Sequence, residues 1–364
     1  MSPLARFFDE ERDAYVLGVL RVAVGVLIAV QTGERLLETF RSGYFGDVFH
    51  LPIVPAALVP SLPLYVLLQL AAFAGGVLAV VGFHGRAGLL VSALAGLFLL
   101  VANRLDYHNN RFALLLLALL TAMSPCDRSL VLVRGRAHSL PESERRAPVL
   151  VTNLIRLTVS AVYLSSGGGK LLDADWRGGQ TMLLRFTRSL EELAARGLTL
   201  PEPLALAYSS PLVASLASKS AIVLELALAV ALWLPRVRPL ALYAGALFHL
   251  SIELSARVEL FSYVMAAAYV SFALPELRER VVELDPNAGV GRFVAKVLPS
   301  LDWLARFRVE PRTSAAFAVR DRRGVRHAGV AALAELARAT PLLFPVWLPL
   351  ALAARAGRTR RRVP

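Results

Sequence analysis

Cysteine is almost absent from this 364-residue chain, which contains only Cys126. A single cysteine excludes an intramolecular disulfide and a cysteine-based metal cluster. None of the six histidines has a second histidine or a cysteine at ligand spacing, so we expect no metal site. The chain also lacks an apolar run before Tyr15, and we therefore expect no cleavable signal peptide.

Acidic residues are scarcer than basic ones, with 27 Asp and Glu against 40 Lys and Arg. The net charge of +13 is concentrated in 275–364, where 17 basic and 8 acidic residues leave an excess of +9. Basic segments beside membrane spans more often mark the cytoplasmic side and touch anionic lipid than bind nucleic acid. We therefore expect membrane lipids, and not nucleic acid, as partners.

Charged residues make up only 18% of the chain, whereas 56% are hydrophobic and the mean hydropathy is +0.56. Several runs approach the roughly 20 apolar residues that cross a hydrocarbon core of about 30 Å. The sequence predicts an all-α integral membrane protein, a polytopic bundle of eight or nine transmembrane helices with a small basic cytoplasmic α+β tail. The predicted spans are about 15–30, 64–83, 87–103, 112–123, 148–166, 211–234, 239–254 and 260–274.

Residues 180–209 differ from these spans because leucines alternate with arginines and glutamates. This pattern predicts an interfacial or re-entrant helix. The excess of basic residues in alternate loops places both termini in the cytoplasm of a multi-pass protein of the inner (plasma) membrane. The polar motifs then gather on the non-cytoplasmic side.

The stretch 167–179, GGGKLLDADWRGG, is polar beside a long apolar span. Lys170, Asp173 and Asp175 fall near the membrane end of that span, where charge is costly unless it is paired or wetted. Trp176 is typical of an interfacial anchor. Two interpretations have about equal weight: the floor of a solvent-facing cavity inside the bundle, or a helix end with a snorkelling lysine.

Other ionisable residues interrupt the spans, and such groups often mark substrate or proton paths. The alternative is structural pairing between helices, such as Arg156 with Glu225. Lys170 could act as a base only if burial favoured its neutral form, and the two nearby aspartates oppose that. His249 could be a base or a hydrogen-bond donor, although a lone buried histidine is more often a satisfied core residue.

Four passages resemble the vitamin K-dependent gamma-glutamyl carboxylase and its bacterial relatives, the HTTM (horizontally transferred transmembrane) family. The resemblance spans roughly residues 12–275, and its LDADW and FSYVM motifs lie at matching distances. The passages are ERLLETFRSGYFGDVFHLP (34–52), DYHNNRFALLLLALL (106–120), VYLSSGGGKLLDADWRGG (162–179) and FHLSIELSARVELFSYVMAA (248–267).

The resemblance implies a membrane bundle that binds a reduced menaquinone or another vitamin K-type quinone in a cavity sheltered from water. It implies Lys170, Asp173, Asp175 and His249 as catalytic residues. Further residues expected to line the substrate or quinone cavity are Arg35, Asn109, Asn110, Arg111, Arg156, Tyr163, Trp176, Glu253 and Tyr263.

Two departures from the family pattern bear on the reaction. The carboxylase has two consecutive lysines before Leu-Asp-Ala-Asp-Trp, and the second, to which quinone activation is assigned, is Leu171 here. The carboxylase's Asn-Asn-His segment ends in Arg111 here, and arginine cannot act as a base because it stays protonated. We therefore do not expect glutamate carboxylation.

Two functional hypotheses remain. The first is a divergent quinone- or lipid-dependent enzyme with carboxylase- or oxidoreductase-like activity. The second is a non-catalytic lipid or quinone binder, or a subunit of a protein partner encoded nearby. They differ in what Lys170→Ala does: it abolishes a quinone-dependent activity under the first and leaves the fold and ligand binding largely intact under the second.

We expect two domains, a carboxylase-like transmembrane domain at 1–275 and a basic C-terminal tail at 276–364. Residues 316–338 are predicted to form a strand, a turn at 323–324 and a helix. This part resembles the closing half of the DCC-type thiol oxidoreductase domain, with the helix start at 329–333. Because the Cys-x-x-Cys motif is absent, we do not expect thiol redox activity.

Overall fold

The computed structural model describes residues 7–41, 53–103, 107–133, 136–255, 260–272, 280–312 and 317–360. The chain forms two compact units, Met1–Ala273 and Leu274–Pro364. Each unit is described by itself below. Residues 42–52 of the first resembling passage, Asp106 of the second and residues 256–259 of the fourth lie outside the described residues.

The first unit is built from helices joined by short connections. Its helices are α1 (Tyr15–Arg41), α2 (Leu62–Val81), α3 (Gly85–Ala102), α4 (Asn109–Ala122), α5 (Leu150–Leu172), α6 (Ala174–Gly178), α7 (Gln180–Ala195), α8 (Glu202–Tyr208), α9 (Pro211–Ala231), α10 (Arg238–Ser255) and α11 (Phe261–Tyr269). Two antiparallel ladders accompany them, β1 (Glu11–Asp13) with β4 (Arg146–Pro148), and β2 (Val131–Val133) with β3 (Arg136–His138).

Four helices, α1, α2, α3 and α9, are long and apolar enough to cross a membrane. Helix α4 and the run Phe261–Phe272 are apolar but shorter. Helices α5 and α10 have spanning length, with 23 and 18 residues, but are too polar to belong to the first set. The described part of the chain is thus mostly helical with four candidate membrane spans, and the number eight or nine stays a prediction.

Close backbone contacts hold α1, α2 and α3 together. A Cβ atom at Gly25 of α1 would lie 2.8 Å from the carbonyl oxygen of Gly76 in α2. On the other side of α2, a Cβ atom at Gly75 would collide with the backbone of Gly88 in α3. Small residues at helix interfaces allow this approach, which is the usual way that membrane helices gain packing energy.

The amphipathic segment 180–209 forms two helices, and neither is among the candidate spans. Phe186 of α7 is buried and stacks on Tyr208 of α8, with 4.4 Å between ring centroids. The charged face of α7, with Arg185 and Arg188, is exposed. On the apolar side of α7 only Phe186 is buried, and Leu184 is 71% exposed.

The second unit contains a four-stranded sheet in the order β6–β5–β7–β8. Its strands are β5 (Arg280–Leu284), β6 (Phe307–Pro311), β7 (Phe317–Arg320) and β8 (Arg326–Ala328), and its helices are α12 (Gly289–Leu301), α13 (Val330–Ala339) and α14 (Trp347–Arg360). Strands β5 and β6 are parallel, and the other two pairs are antiparallel. The core of this unit includes Val282, Leu284, Leu298, Val319 and Leu336.

The second unit thus begins with a parallel βαβ unit, β5–α12–β6, and continues with the antiparallel hairpin β7–β8 and helix α13. Helix α12 is preceded by Asp285-Pro-Asn-Ala, which contains no cysteine. Only the closing part of this arrangement was recognised from the sequence, whereas β5, α12 and β6 precede it in the structure.

Candidate functional site

One face of α5 carries a polar group at nearly every turn. The residues follow one another at intervals of three or four, which places them along one stripe of an α-helix. The 17 steps from the first to the last of these residues cover about 26 Å along the helix axis. The stripe consists of Asn153, Arg156, Ser160, Tyr163, Ser166 and Lys170. Polar side chains inside a membrane bundle need partners, and each part of the stripe has its own.

The first part of the stripe is held by backbone carbonyl groups. Arg156 donates from Nε and Nη2 to the carbonyl oxygen of Ser271, at 2.8 and 2.6 Å, and from Nη1 to Asn153 Oδ1 at 3.0 Å. Asn153 in turn donates to the carbonyl oxygen of Phe7. The predicted ion pair of Arg156 with Glu225 is wrong, because Glu225 accepts hydrogen bonds from Lys170 instead.

The last part of the stripe is an ion pair between α5 and α9. Lys170 Nζ lies 2.6 Å from Glu225 Oε2, 2.7 Å from Oε1 and 2.5 Å from Ser166 Oγ. The side chain of Glu225 is 2% exposed and that of Lys170 is 17% exposed. The Lys170 ammonium also lies 5.0 Å from the ring centroid of Trp176, a cation–π contact. Removing a proton from this lysine would leave a buried carboxylate without its counter-charge, so Lys170 fits a structural cation better than a base.

Three side chains from three helices form a hydrogen-bonded chain at the middle of the stripe. The Tyr163 hydroxyl of α5 lies 2.7 Å from His249 Nε2 of α10 and also bonds the Tyr269 hydroxyl of α11. The three residues are buried. Gly245 makes the arrangement sterically feasible, because a Cβ atom at that position would collide with the Tyr269 hydroxyl.

His249 keeps one ring nitrogen without a partner among the described residues. Its Nδ1 atom is buried and accepts or donates no hydrogen bond there, and the residue is only 4% exposed. The rings of Phe261, Phe248 and Tyr269 surround the imidazole, with centroids 5.3, 5.5 and 5.9 Å away. A buried polar atom without a partner in a native protein calls for an explanation, such as a bound molecule.

Tyr163 and Lys170 lie on the same face of α5, two helical turns apart. His249 of α10 contacts that face through its hydrogen bond with Tyr163. Tyr269 and Ser166 were not identified from the sequence, and Glu225 was considered only as a partner of Arg156. A signal for Glu225 was present, since it is the only acidic residue in the apolar helix α9 and such a residue implies a partner. Tyr269 has no comparable signal in the sequence.

Asp173 and Asp175 are exposed, unlike the Tyr163–His249–Tyr269 chain. Asp173 caps α6, with its Oδ1 accepting from the backbone N–H of Asp175 at 2.8 Å and of Trp176 at 3.3 Å. The local role of Asp173 is therefore that of an N-cap. The carbonyl oxygen of Trp176 accepts a hydrogen bond from Ser218 of α9.

The other predicted cavity residues lie at the ends of helices. In the first turn of α4, Asn109 is exposed, Asn110 is buried and Arg111 is partly buried. Arg35 pairs with Glu38 within α1 at 3.3 Å. Near the end of α10, Glu253 Oε1 accepts from the exposed Tyr263 hydroxyl at 3.3 Å.

Within the ranges that the structure describes, no three His, Cys, Asp or Glu side chains are grouped so that they could hold a metal ion. Cys126, in the connection after α4, is fully buried. Burial, and then the charge of the neighbouring Asp127, raise the pKa of the Cys126 thiol to about 12. A thiol with such a pKa is inert, because the thiolate is the reactive form.

The first unit is thus a membrane-type helical bundle with a buried polar stripe. A family model, the HTTM domain, matches residues 10–276. The match covers more than half of the chain, and the chain therefore belongs to the HTTM family, which is linked to the vitamin K-dependent carboxylase. The family assignment made from sequence motifs is confirmed. Comparison with curated proteins and with solved structures finds no match.

Proposed function

We propose that the first unit binds a lipid-soluble quinone, in oxidised or reduced form, with a ring oxygen hydrogen-bonded to His249 Nδ1. The observation that carries the proposal is this buried nitrogen, which has no partner among the described residues and lies between aromatic rings. An aromatic surround with few polar groups suits a flat, apolar ring that carries oxygen atoms. A quinone, when bound, supplies two-electron, two-proton redox chemistry.

His249 can serve both forms of such a ligand. When Tyr163 donates to Nε2, the neutral imidazole has its proton on Nδ1 and offers a donor to a carbonyl oxygen. When Nε2 donates to Tyr163, Nδ1 offers a lone pair to a hydroxyl group. The hydroxyl groups of Tyr163 and Tyr269 can rotate, so either tautomer of His249 finds a matching set of hydrogen bonds without movement of heavy atoms.

Lys170 has a different part in this proposal. Held by Glu225 and Ser166, it fixes the end of α5 without acting as a base. Leu171 replaces the carboxylase's activating lysine, and an enzyme of this kind would therefore carry out a reaction other than glutamate carboxylation. The alternative is a non-catalytic quinone or lipid binder that retains the scaffold.

The test begins with mass spectrometry of the lipids that co-purify with the protein. A short-chain menaquinone is then titrated while tryptophan fluorescence is followed. We expect wild-type protein and Ser251→Ala, an exposed change on the same helix α10, to bind equally. His249→Phe keeps an aromatic ring but removes both nitrogens, and should weaken binding at least tenfold.

Absence of any quinone among the co-purified lipids, together with no saturable quenching by wild type, would refute the proposal. Turnover of reduced quinone by wild type but not by His249→Phe favours the enzyme. Binding without turnover favours the non-catalytic binder or partner subunit.

We also propose that the bundle lies in the plasma membrane with both termini in the cytoplasm, which is supported by the distribution of basic residues. Cysteines introduced at the exposed positions Arg177 and Arg292 report on it. An impermeant maleimide added to intact cells should label the first position and spare the second until the membrane is permeabilised.

A further inference from the structure

The sheet of the second unit has an apolar face and an arginine-rich face. Val282, Leu284 and Val319 point to the side on which α12 and α13 contribute Leu298 and Leu336 to the core. Alternation along the strands sends the intervening residues to the other side. The strand register places these residues beside one another: Arg308 and Glu310 of β6, Glu283 of β5, Arg320 of β7 and Arg326 of β8.

Glu283 organises the arginine-rich face. Its carboxylate accepts hydrogen bonds from Arg312 Nη1 at 2.9 Å, Arg320 Nη2 at 2.7 Å and Arg326 Nε at 2.7 Å. The Glu283 side chain is 1% exposed. One buried carboxylate on a central strand thus holds three guanidinium groups in fixed positions, which removes much of the conformational freedom that arginine side chains otherwise have.

The outer sides of these guanidinium groups remain in solvent. The side chains of Arg312, Arg320 and Arg326 are 54%, 37% and 46% exposed. Each guanidinium has five N–H donors, and Glu283 accepts only one hydrogen bond from each in the contacts above. Arg308, 67% exposed, adds a fourth cation and lies 3.7 Å from Glu310. Four arginines against two glutamates leave this face with a charge of +2.

We propose that this face docks onto the phosphate groups of anionic phospholipids at the surface of the membrane that holds the first unit. Guanidinium groups bind phosphate oxygens in a bidentate manner, and a fixed array of them matches a layer of phosphates. Charge complementarity is reinforced by the excess of +9 over 275–364.

The chain length limits how far the sheet can lie from the membrane. Seven residues, 273–279, connect Phe272, which ends the apolar run Phe261–Phe272, with Arg280 at the start of β5. Even fully extended, the eight Cα–Cα steps from Phe272 to Arg280 span at most about 29 Å. The sheet is thus tethered close to the headgroup layer, where juxtamembrane basic residues contribute to binding of anionic lipid.

The experiment uses the full-length protein in nanodiscs of phosphatidylcholine alone or with added phosphatidylglycerol. Amide hydrogen exchange is measured for the peptide that covers β7 and β8. We expect exchange to be several-fold slower in anionic discs, and the difference to shrink at high salt because exposed charges are screened. Arg308→Gln, which leaves the three hydrogen bonds to Glu283 intact, should reduce the protection.

Arg292→Gln is the matched control, since Arg292 is exposed on α12 and its loss changes the net charge equally. Equal exchange in the two lipid compositions would overturn the proposal. So would an equal loss of protection in the two variants, because the effect would then follow net charge and not this face. Inorganic phosphate that gives the same protection in neutral discs would show a free-phosphate site and exclude the lipid surface as the occupant.

Discussion

Lys170 Nζ and Glu225 Oε2 are 2.6 Å apart although the two residues are separated by 55 positions in the sequence. The pair joins α5 to α9 inside the bundle, where an unpaired charge is costly. The pair also affects how the activity of a Lys170 variant is interpreted, since Lys170→Ala would leave Glu225 without its cation. A loss of activity in that variant alone would not identify Lys170 as a catalytic residue.

Breaking the pair from one side should destabilise the first unit. We expect Glu225→Leu to lower the free energy of unfolding by about 3–5 kcal/mol, because the partly buried Lys170 ammonium then has no counter-charge. The double variant Lys170→Met with Glu225→Leu should recover most of that loss, since both charges are gone. Thermal unfolding in detergent measures this, with the exposed Asp175→Asn as a control expected within about 0.5 kcal/mol of wild type. A double variant as unstable as Glu225→Leu would contradict the pairing.

Gly245→Ala should disturb the Tyr163–His249–Tyr269 chain without removing any of its polar groups. The new Cβ atom would meet the Tyr269 hydroxyl, so either that ring or α10 must shift, at a cost of about 1–3 kcal/mol. Gly168→Ala on α5 is the matched control, because a Cβ atom there meets nothing within 4 Å. It should be neutral or should stabilise its helix by about 0.5–1 kcal/mol. Thermal unfolding and quinone titration of the two variants test this prediction. Equal stability and equal quinone affinity of the two variants would show that the close approach of Gly245 to the Tyr269 hydroxyl is unimportant.

Cys126 should resist thiol reagents in the folded protein. With its pKa raised to about 12 by burial, only about one thiol in 10⁴ is ionised at pH 8. We expect N-ethylmaleimide to label the native protein at least a hundredfold more slowly than the denatured protein. Intact-mass spectrometry after timed quenching follows the reaction. Labelling of the native protein at the rate of a free peptide thiol would show that the connection after α4 opens.

The ionisation of Glu283 makes the stability of the second unit depend on pH. Hydrogen bonds from Arg326, Arg320 and Arg312 lower the pKa of its carboxyl group from 4.5 to about 2. A group whose pKa is lower in the folded state stabilises that state above its unfolded pKa. This contribution is therefore complete above about pH 5 and is lost as the pH falls towards 2.

Amide exchange of the β7–β8 peptide in the full-length chain should accordingly accelerate, relative to its intrinsic rate, between pH 4.5 and 2.5. Glu283→Gln should show faster exchange already at neutral pH and little further dependence over that window. A wild-type protection factor that stays constant down to pH 2.5 would contradict the lowered pKa.

The sequence located some helices well and their partners poorly. The observed α2 and α3 begin and end within two residues of the predicted spans, because a sustained apolar run marks such a helix. The predicted ends of α1 and α5 are wrong, since α1 continues to Arg41 and α5 to Leu172, through charged residues that hydropathy excludes. The LDADW and FSYVM motifs identified the family. The interhelical contacts are a different matter, because a partner such as Glu225 depends on how helices far apart in sequence face one another.

The second unit shows another limit of sequence reasoning. Strand β5, Arg-Val-Val-Glu-Leu, has a glutamate at a position that would ordinarily be exposed. Glu283 is buried only because arginines from later in the chain fold over it, and no local pattern reports that. Asp173 illustrates the same limit, since the sequence does not report that its carboxylate caps α6.

The polar stripe of α5 also decides how the helix can move. Rotation by one residue, about 100°, would separate Arg156 from its carbonyl partner, Tyr163 from His249 and Lys170 from Glu225 at once. Sliding by a turn would mismatch the same three bonds. These bonds therefore fix both the rotation of α5 about its axis and its position along that axis. A molecule that binds beside Tyr163 has to fit the arrangement that α5 already has.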